Sequence, residues 1–177
     1  MRFTFVDRIL RVEPGHKITT VKVLSLAEEY LADHFPRFPV MPGVLMLESM
    51  THAGAWLVRV SEDFAHSMVL LKEARNVKFA KFVAPGQVLT VTAEIVKQDA
   101  RETHLKTQGT IGGEPAVMGR LVLERFNLAE QRPELRGVDA SLKRQLRDML
   151  TLLCQQDPAA IAGSNGAPVL AVSRPAP

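Results

Sequence analysis

Residues 68–126 contain four strand-length segments in which apolar and polar positions alternate, as they do in strands with one buried face. A Pro-Gly pair and a Gly-Gly pair interrupt the pattern and predict turns. Two further strands are predicted within residues 4–26, on either side of a turn at residues 13–15. The pattern therefore predicts an antiparallel sheet of about six strands. The four later strands are expected at residues 68–81, 87–97, 103–111 and 116–126.

One long helix is predicted between the two groups of strands. Residues 27–43 contain three prolines and a glycine, which predicts an irregular connection. Pro42 suits a first helical turn, and residues 44–60 have a helix-compatible composition without further proline. A helix and a sheet must each bury an apolar face, so we expect the sheet to curl around the helix. Residues 1–126 are thus predicted to form an α+β domain.

A different pattern follows residue 126. A polar linker leads to a second predicted helix, from about residue 140 to residue 155, with one apolar stripe that should dock on the domain or on a partner chain. We interpret residues 127–156 as a C-terminal linker and amphipathic helix. Residues 157–177 are rich in alanine, proline and glycine and are expected to form a flexible tail. The stripe consists of Leu142, Leu146, Met149, Leu150 and Leu153.

The composition is that of a globular protein with a real core. Of 177 residues, 46% are hydrophobic and 23% are charged, which excludes wholesale disorder and a disulfide scaffold. The net charge of +3 is too small to indicate nucleic-acid binding. Cys154 is the only cysteine, and charges interrupt the N-terminal residues before a signal peptide could form, so we expect a cytoplasmic protein. The longest weakly charged window contains two prolines and Glu48, which argues against a membrane span.

The predicted central helix carries a carboxylate on its more polar face. Glu48 and His52 are spaced i and i+4, so their side chains are neighbours on that face. Taken alone, the pair is consistent with an ordinary solvated ion pair. The same face continues to Arg59, whereas Met46 and Leu57 lie on the opposite side.

The segment before this helix adds a second candidate group. His34 precedes a stiff stretch in which Pro36, Pro39 and Pro42 each fix one backbone φ angle. Gly43, at its end, would let a substrate or another backbone segment approach closely. That stretch ends at a helix N-terminus, whose free N–H groups can stabilise a developing negative charge. A base, an acid and an oxyanion site are therefore available within a short stretch of chain, although a loop histidine bonded to backbone remains an alternative.

The segment HFPRFPVMPGVLMLESM, residues 34–50, closely resembles the signature of the β-hydroxyacyl-acyl carrier protein dehydratases of fatty acid synthesis. His34 and Glu48 stand in register with the histidine and glutamate of that signature, 48 − 34 = 14 positions apart. Weaker similarity extends over most of residues 5–126. The resemblance implies a hotdog fold, in which a sheet wraps around a central helix, and a hydro-lyase that makes trans-2-enoyl thioesters.

The resemblance also implies a role for each matching residue. His34 would remove the α proton of the substrate, and Glu48 would protonate the departing hydroxyl. The Gly43 N–H would bind the thioester carbonyl, and the Val40 carbonyl would orient the histidine ring. A glutamate that donates a proton near neutral pH needs a pKa above the ordinary value of about 4.3, and burial in an apolar tunnel would raise the pKa of Glu48 in this way.

The family resemblance implies partners and an assembly as well. In these enzymes the histidine and the glutamate of one site come from opposite subunits, so we expect a homodimer, which in this family often associates further as a trimer of dimers. The acyl chain would lie in an apolar tunnel at the dimer interface. The enzyme needs no cofactor, because the phosphopantetheine arm arrives on the acidic acyl carrier protein. Lys78 and Lys81 match basic positions of the family and are candidates for carrier-protein binding.

The chain departs from the family pattern next to the acid. The family usually has Glu-Ala-Met-Ala-Gln, whereas this chain has Glu48, Ser49, Met50, Thr51 and His52. Glutamate rather than aspartate at position 48 resembles the dehydratase branch more than the bifunctional dehydratase-isomerase branch.

Three alternatives stay open at this point. One is a hotdog thioesterase or hydratase of acyl thioesters. A second is a divalent metal site made of His34, Glu48 and His52, although we expect no metal. The third is a hotdog protein that binds acyl chains without catalysis.

Overall fold

The computed structural model describes residues 4–154. Six strands form one antiparallel sheet in the order β1-β2-β4-β5-β6-β3, and a long helix, α2, lies against it. The predicted α+β architecture, with about six strands wrapped around a central helix and a further C-terminal helix, is confirmed. The strands are β1 (Arg8–Glu13), β2 (Lys17–Val23), β3 (Met68–Phe79), β4 (Val88–Gln98), β5 (Glu102–Ile111) and β6 (Glu114–Phe126). The helices are α1 (Tyr30–Asp33), α2 (Gly43–Ser61) and α3 (Arg136–Cys154).

The position of α2 follows from its apolar face and its small residues. Met46, Met50 and Leu57 are each at most 2% exposed and lie in the hydrophobic core. A Cβ atom at Gly54 would collide with the side chain of Leu105 on β5, so glycine lets the helix approach the sheet closely. The opposite face of α2, which carries Glu48, is turned toward a cavity lined by residues of β3 and α3.

The C-terminal helix docks on the domain of its own chain. Leu150 and Leu153 of α3 are buried in the same core as α2, and Leu146 and Met149 pack against that core. The apolar stripe predicted from the sequence is therefore confirmed, and its partner is the domain. The helix begins at Arg136, earlier than predicted, because two short 3-10 turns take up residues 128–135 and lead directly into it. The predicted tail at residues 157–177 lies outside the described residues.

Polar contacts anchor the N-terminal half of α3. The carboxylate of Asp139 is 5% exposed and accepts hydrogen bonds from the Ser67 hydroxyl, the Leu128 N–H (3.0 Å) and the Ala129 N–H (2.9 Å). Lys143 donates to the Ala65 carbonyl at 2.6 Å. The helix is thus tied to the loop between α2 and β3.

Among the helices of residues 4–154, none is both long and apolar enough to cross a membrane.

Replacing Asp139 by alanine is expected to lower the free energy of unfolding by about 1–3 kcal/mol, because the buried Ser67 hydroxyl and two partly buried backbone N–H groups lose their acceptor. Burial raises the pKa of Asp139, but the hydrogen bonds from Ser67, Ala129 and Leu128 outweigh burial and lower it overall. A lowered folded-state pKa means that the carboxylate stabilises the fold above the ordinary pKa of about 3.9 and loses this effect as pH falls through the lowered value.

Thermal unfolding of the wild type and Asp139→Ala between pH 3 and pH 7 checks this expectation. The difference in Tm should be full at pH 7 and should shrink below about pH 4. Asp148→Ala, which removes an exposed aspartate from the same helix, should leave Tm unchanged and serves as the control. Equal Tm values for the wild type and Asp139→Ala at pH 7 would show that Asp139 does not anchor α3.

Candidate active site

His34 lies at the C-terminal end of α1, where the chain turns toward α2. Its N–H donates to the Tyr30 carbonyl at 3.1 Å. The next residue, Phe35, has a φ of 50°, which is uncommon for a bulky side chain and marks local backbone strain. The centroids of the His34 and Phe35 rings are 4.4 Å apart. The backbone is therefore held in a conformation that a flexible loop would rarely adopt, a feature that is frequent at functional sites.

Four residues predicted to act together line one cavity of about 340 Å³. They are His34, Val40, Gly43 and Lys81. The rest of the lining is apolar and consists of Phe35, Met41, Met46, Phe79, Ala80 and Phe82.

The N-terminus of α2 opens into this cavity. The N–H groups of Leu45 and Met46 donate to the Pro42 carbonyl, whereas the Gly43 N–H has no acceptor among residues 4–154. A Cβ atom at position 43 would lie 3.2 Å from the Phe79 ring, closer than an ordinary contact, so glycine fits this position best. The His34 ring makes no hydrogen bond with the Val40 carbonyl in the described chain, and the orienting role of Val40 stays a prediction.

Glu48 lines a different cavity, also of about 340 Å³, between α2, β3 and α3. The first cavity does not include Glu48, and the second does not include His34. The base and the acid predicted from the sequence are therefore not brought into one cavity by a single chain. The second cavity is lined by Thr4, Val6, Glu48, Thr51, His52, Ala55, Trp56, Arg59, Val69, Leu70, Leu71, Leu146, Met149 and Leu153.

The environment of Glu48 contradicts the expected rise of its pKa. The His52 ring lies with Nε2 3.0 Å from Oε1 of Glu48, and this hydrogen bond lowers the pKa of the carboxyl more than its partial burial raises it. The side chain of Glu48 is 41% exposed in the single chain, so desolvation is too weak to dominate. The prediction of a raised pKa is therefore wrong for the isolated chain.

Four phenylalanine side chains form an exposed apolar patch around the mouth of the His34 cavity. Phe35, Phe38, Phe79 and Phe82 are between 53% and 66% exposed, and the rings of Phe38 and Phe82 are in edge-to-face contact at 5.7 Å. Exposed apolar clusters of this kind mark interaction sites on proteins. The patch could not be predicted from the sequence, because its members come from two separate segments that only the fold brings together.

One of the two candidate carrier-binding lysines lies at the His34 cavity. Lys81 lines the cavity and forms an ion pair with Glu114. Lys78 is exposed and forms no ion pair within residues 4–154. Lys81 is therefore available at the cavity, where it would have to exchange one acidic partner for another, whereas Lys78 is not part of the cavity lining.

The alternative metal site is not assembled by the chain. His34 and Glu48 line separate cavities, so the set of His34, Glu48 and His52 does not converge. Within the described part of the chain, one group of three potential ligands lies close together, and it consists of Asp99, Glu102 and His104 near the turn between β4 and β5. Two backbone N–H groups already donate to Asp99, which accounts for its position without an ion.

A curled antiparallel sheet around one long helix defines a hotdog protein, and the cavity that holds His34 and Gly43 lies at the N-terminus of that helix. The model of the family described as the FabA-like domain matches residues 1–120. The chain belongs to this family, and the dehydratase resemblance of its sequence is confirmed.

Curated relatives support the same conclusion. The chain is 35% identical over 119 residues to the 3-hydroxyacyl-acyl carrier protein dehydratase FabZ of Ruminiclostridium cellulolyticum, which covers 67% of this chain and 84% of that protein. It is 38% identical over 117 residues to the FabZ of Levilactobacillus brevis, covering 66% of this chain and 79% of that protein. The family model matches residues up to 120, so the C-terminal helix α3 lies beyond the part of the chain that it matches.

Solved structures confirm the fold. The dehydratase heterocomplex ApeI:P from Xenorhabdus doucetiae matches with a TM-score of 0.60 and 18% identity, over 75% of this chain and 90% of that chain. The PaaI protein of the phenylacetic acid degradation operon of E. coli matches with a TM-score of 0.52 and 13% identity, over 67% of this chain and 82% of that chain.

Proposed function

We propose that this protein removes water from 3-hydroxyacyl groups carried on acyl carrier protein and releases the trans-2-enoyl thioester, in fatty acid or related lipid biosynthesis. Membership of the dehydratase family supports this activity. The observation that carries the proposal is the cavity that His34 lines together with Gly43, whose N–H has no acceptor among residues 4–154. This pairing provides a base for a carbon acid together with a donor for the charge that develops on the neighbouring carbonyl.

His34, Gly43 and Glu48 account for each proton and electron pair that moves in the proposed reaction. His34 takes the α proton, and the electron pair moves onto the thioester carbonyl, where the Gly43 N–H stabilises the enolate oxygen. The electron pair then returns to form the carbon–carbon double bond as the β-hydroxyl leaves with a proton from Glu48. Water and the enoyl thioester are released, and Glu48 regains its proton at the end of the cycle. No step requires a metal or a bound cofactor.

We propose that one site takes His34 from one subunit and Glu48 from the other. Three features of the single chain support this arrangement. His34 and Glu48 line separate cavities, so one chain does not provide a complete site. The four phenylalanines at the His34 cavity leave an apolar surface that a second subunit would cover. β3 is an edge strand that pairs with β6 on one side, which leaves its other edge open to a second copy. Association of dimers into a trimer of dimers stays a prediction.

A second subunit would also act on the pKa of Glu48, which is lowered in the single chain although proton donation requires a raised value. Covering the exposed 41% of Glu48 removes water from the carboxylate, and desolvation raises the pKa of a carboxyl group. The proposed dimer therefore moves the pKa of Glu48 in the direction that proton donation requires.

The cavity at Glu48 is proposed to receive the acyl chain. Its walls are mainly apolar and include Trp56 on α2, Val69 on β3 and Met149 on α3. The part of this wall that α3 provides lies beyond the residues that the family model matches. At the other end of the site, Lys78 and Lys81 are proposed to meet the acidic carrier protein.

Product analysis by mass spectrometry tests the proposed reaction. A series of 3-hydroxyacyl-acyl carrier proteins of different chain length is incubated with the purified protein. We expect a loss of one water from the carrier-bound acyl group at one or more chain lengths. Free 3-hydroxy acid without an enoyl product would identify a thioesterase instead. Unchanged substrate at every chain length would favour a hotdog protein that binds acyl chains without catalysis.

A further inference from the structure

His52 occupies the position one helical turn after the proposed acid. Its Nε2 lies 3.0 Å from Oε1 of Glu48, within hydrogen-bonding distance. The ring is held from the other side by Phe5, whose ring meets it edge-on at a centroid distance of 5.6 Å. The other carboxylate oxygen of Glu48, Oε2, has no partner among residues 4–154. The geometry therefore fixes one oxygen of the carboxylate and leaves the other for a substrate.

We propose that His52 is a positioning residue that shares a proton with Glu48 and supplies the proton that Glu48 delivers to the leaving hydroxyl. The proposal rests on the dehydratase function and extends it. The pattern of the family usually has glutamine at this position, and an amide can hold the carboxylate but cannot give up a proton at physiological pH. Histidine does both, because it changes charge between about pH 5 and pH 8.

The proton balance of the pair is simple. Before the reaction, Glu48 and His52 together hold one proton in addition to the N–H of a neutral imidazole. The imidazolium passes this one proton to the carboxylate of Glu48, and the protonated carboxyl delivers it to the departing hydroxyl as the carbon–oxygen bond breaks. The pair ends as a carboxylate and a neutral imidazole, one water has formed, and His34 holds the α proton.

The surroundings leave the pair without a competing acid. Glu48, His52 and Arg59 of α2 are the charged or titratable groups that line this cavity. The N-terminal segment contributes Thr4 and Val6, β3 contributes residues 69–71, and α3 contributes leucine and methionine, none of which titrates. The Arg59 side chain stacks on Trp56, and burial lowers the pKa of Arg59 to about 10, so it stays cationic at neutral pH.

The shared proton also explains how a carboxyl with a lowered pKa can serve as an acid. The hydrogen bond from His52 favours the carboxylate form of Glu48 in the single chain. A lone glutamate in that state would have no proton to give near neutral pH. In the pair, the imidazolium keeps a proton within hydrogen-bonding distance of the carboxylate until the leaving group needs it.

The test compares kcat as a function of pH for the wild type, His52→Gln and His52→Leu with a 3-hydroxyacyl-acyl carrier protein as substrate. His52→Gln keeps a hydrogen-bond donor, so its KM should stay within about 3-fold of the wild type, while its kcat at pH 8 should fall about 10-fold or more. The alkaline limb of its profile should move to lower pH, because the proton must then reside on the carboxyl alone. His52→Leu removes the donor as well and should lose activity across the whole pH range.

A matched control lies further along the chain. His66 and Glu62 form another i, i+4 pair at 3.0 Å, outside the Glu48 cavity, and His66→Gln should leave the pH profile unchanged. A wild-type protein that is active, together with a His52→Gln profile that superimposes on it, would overturn the proposal while leaving the dehydratase function intact. A wild-type protein that is inactive at all pH values would instead overturn the function on which the proposal rests.

Discussion

Replacing His34 by alanine is expected to reduce kcat for dehydration by about 10²–10⁴-fold, the usual contribution of a positioned general base. The α proton of a thioester is weakly acidic, so the enolate forms slowly without a base in the cavity. The fold should survive, because the His34 ring makes no side-chain hydrogen bond in the described chain and is only partly buried. The measurement is the rate of enoyl-thioester formation, accompanied by Tm as a check of folding.

The control for this substitution is His16→Ala. His16 lies in the turn between β1 and β2, where its side chain is 68% exposed and pairs with Glu13. It is far in the sequence from the proposed site and should be replaceable without loss of activity. A His34→Ala protein that retains the wild-type rate with an unchanged Tm would show that another group removes the proton.

Glu48→Gln is expected to cause a second loss of about 10²–10⁴-fold in kcat. Glutamine has nearly the same volume, and its carbonyl oxygen can still accept the hydrogen bond from His52. It cannot protonate a departing hydroxyl, so the loss should appear in kcat rather than in KM. The exposed Glu29 provides the control, because Glu29→Gln removes a carboxylate that lies in neither cavity.

The outcome of Glu48→Gln also separates two kinds of contribution. A loss confined to KM would mean that the carboxylate only binds the substrate. An unchanged kcat would contradict its role as the acid. A drop in Tm together with kcat would be a folding defect, which the equal size of glutamine makes unexpected.

Much of the fold could be predicted because its signals are local. The alternation in β4 places Leu89, Val91 and Ala93 on the buried face, and each is at most 1% exposed. The apolar stripe of α3 identified its buried residues as well. The start of α3 was harder to predict from the sequence. It depends on contacts of Asp139, whose hydrogen-bond donors come from Ser67 and from the preceding turn.

The site was predictable to the extent that it is encoded in one short segment. His34, Val40 and Gly43 are close in sequence, and the rigid proline-rich stretch brings them to one cavity. The position of Glu48 in a separate cavity could not be predicted, because it depends on how α2 lies against β3 and α3. The direction of the pKa shift of Glu48 was predicted wrongly for a related reason. In a single chain Glu48 is partly exposed, and the hydrogen bond with His52 lowers its pKa more than desolvation raises it.

The central claim is that a complete site combines His34 of one subunit with Glu48 of the other. A mixed dimer of His34→Ala and Glu48→Gln chains tests it directly, with two different affinity tags to purify the mixed species. In a twofold dimer of this kind, one site would contain both substitutions and the other would contain neither, so the mixed dimer should recover about half of the wild-type activity. Each variant alone should remain nearly inactive. A mixed dimer that is as inactive as its parents would contradict the claim, because it would place both residues of a site in the same subunit.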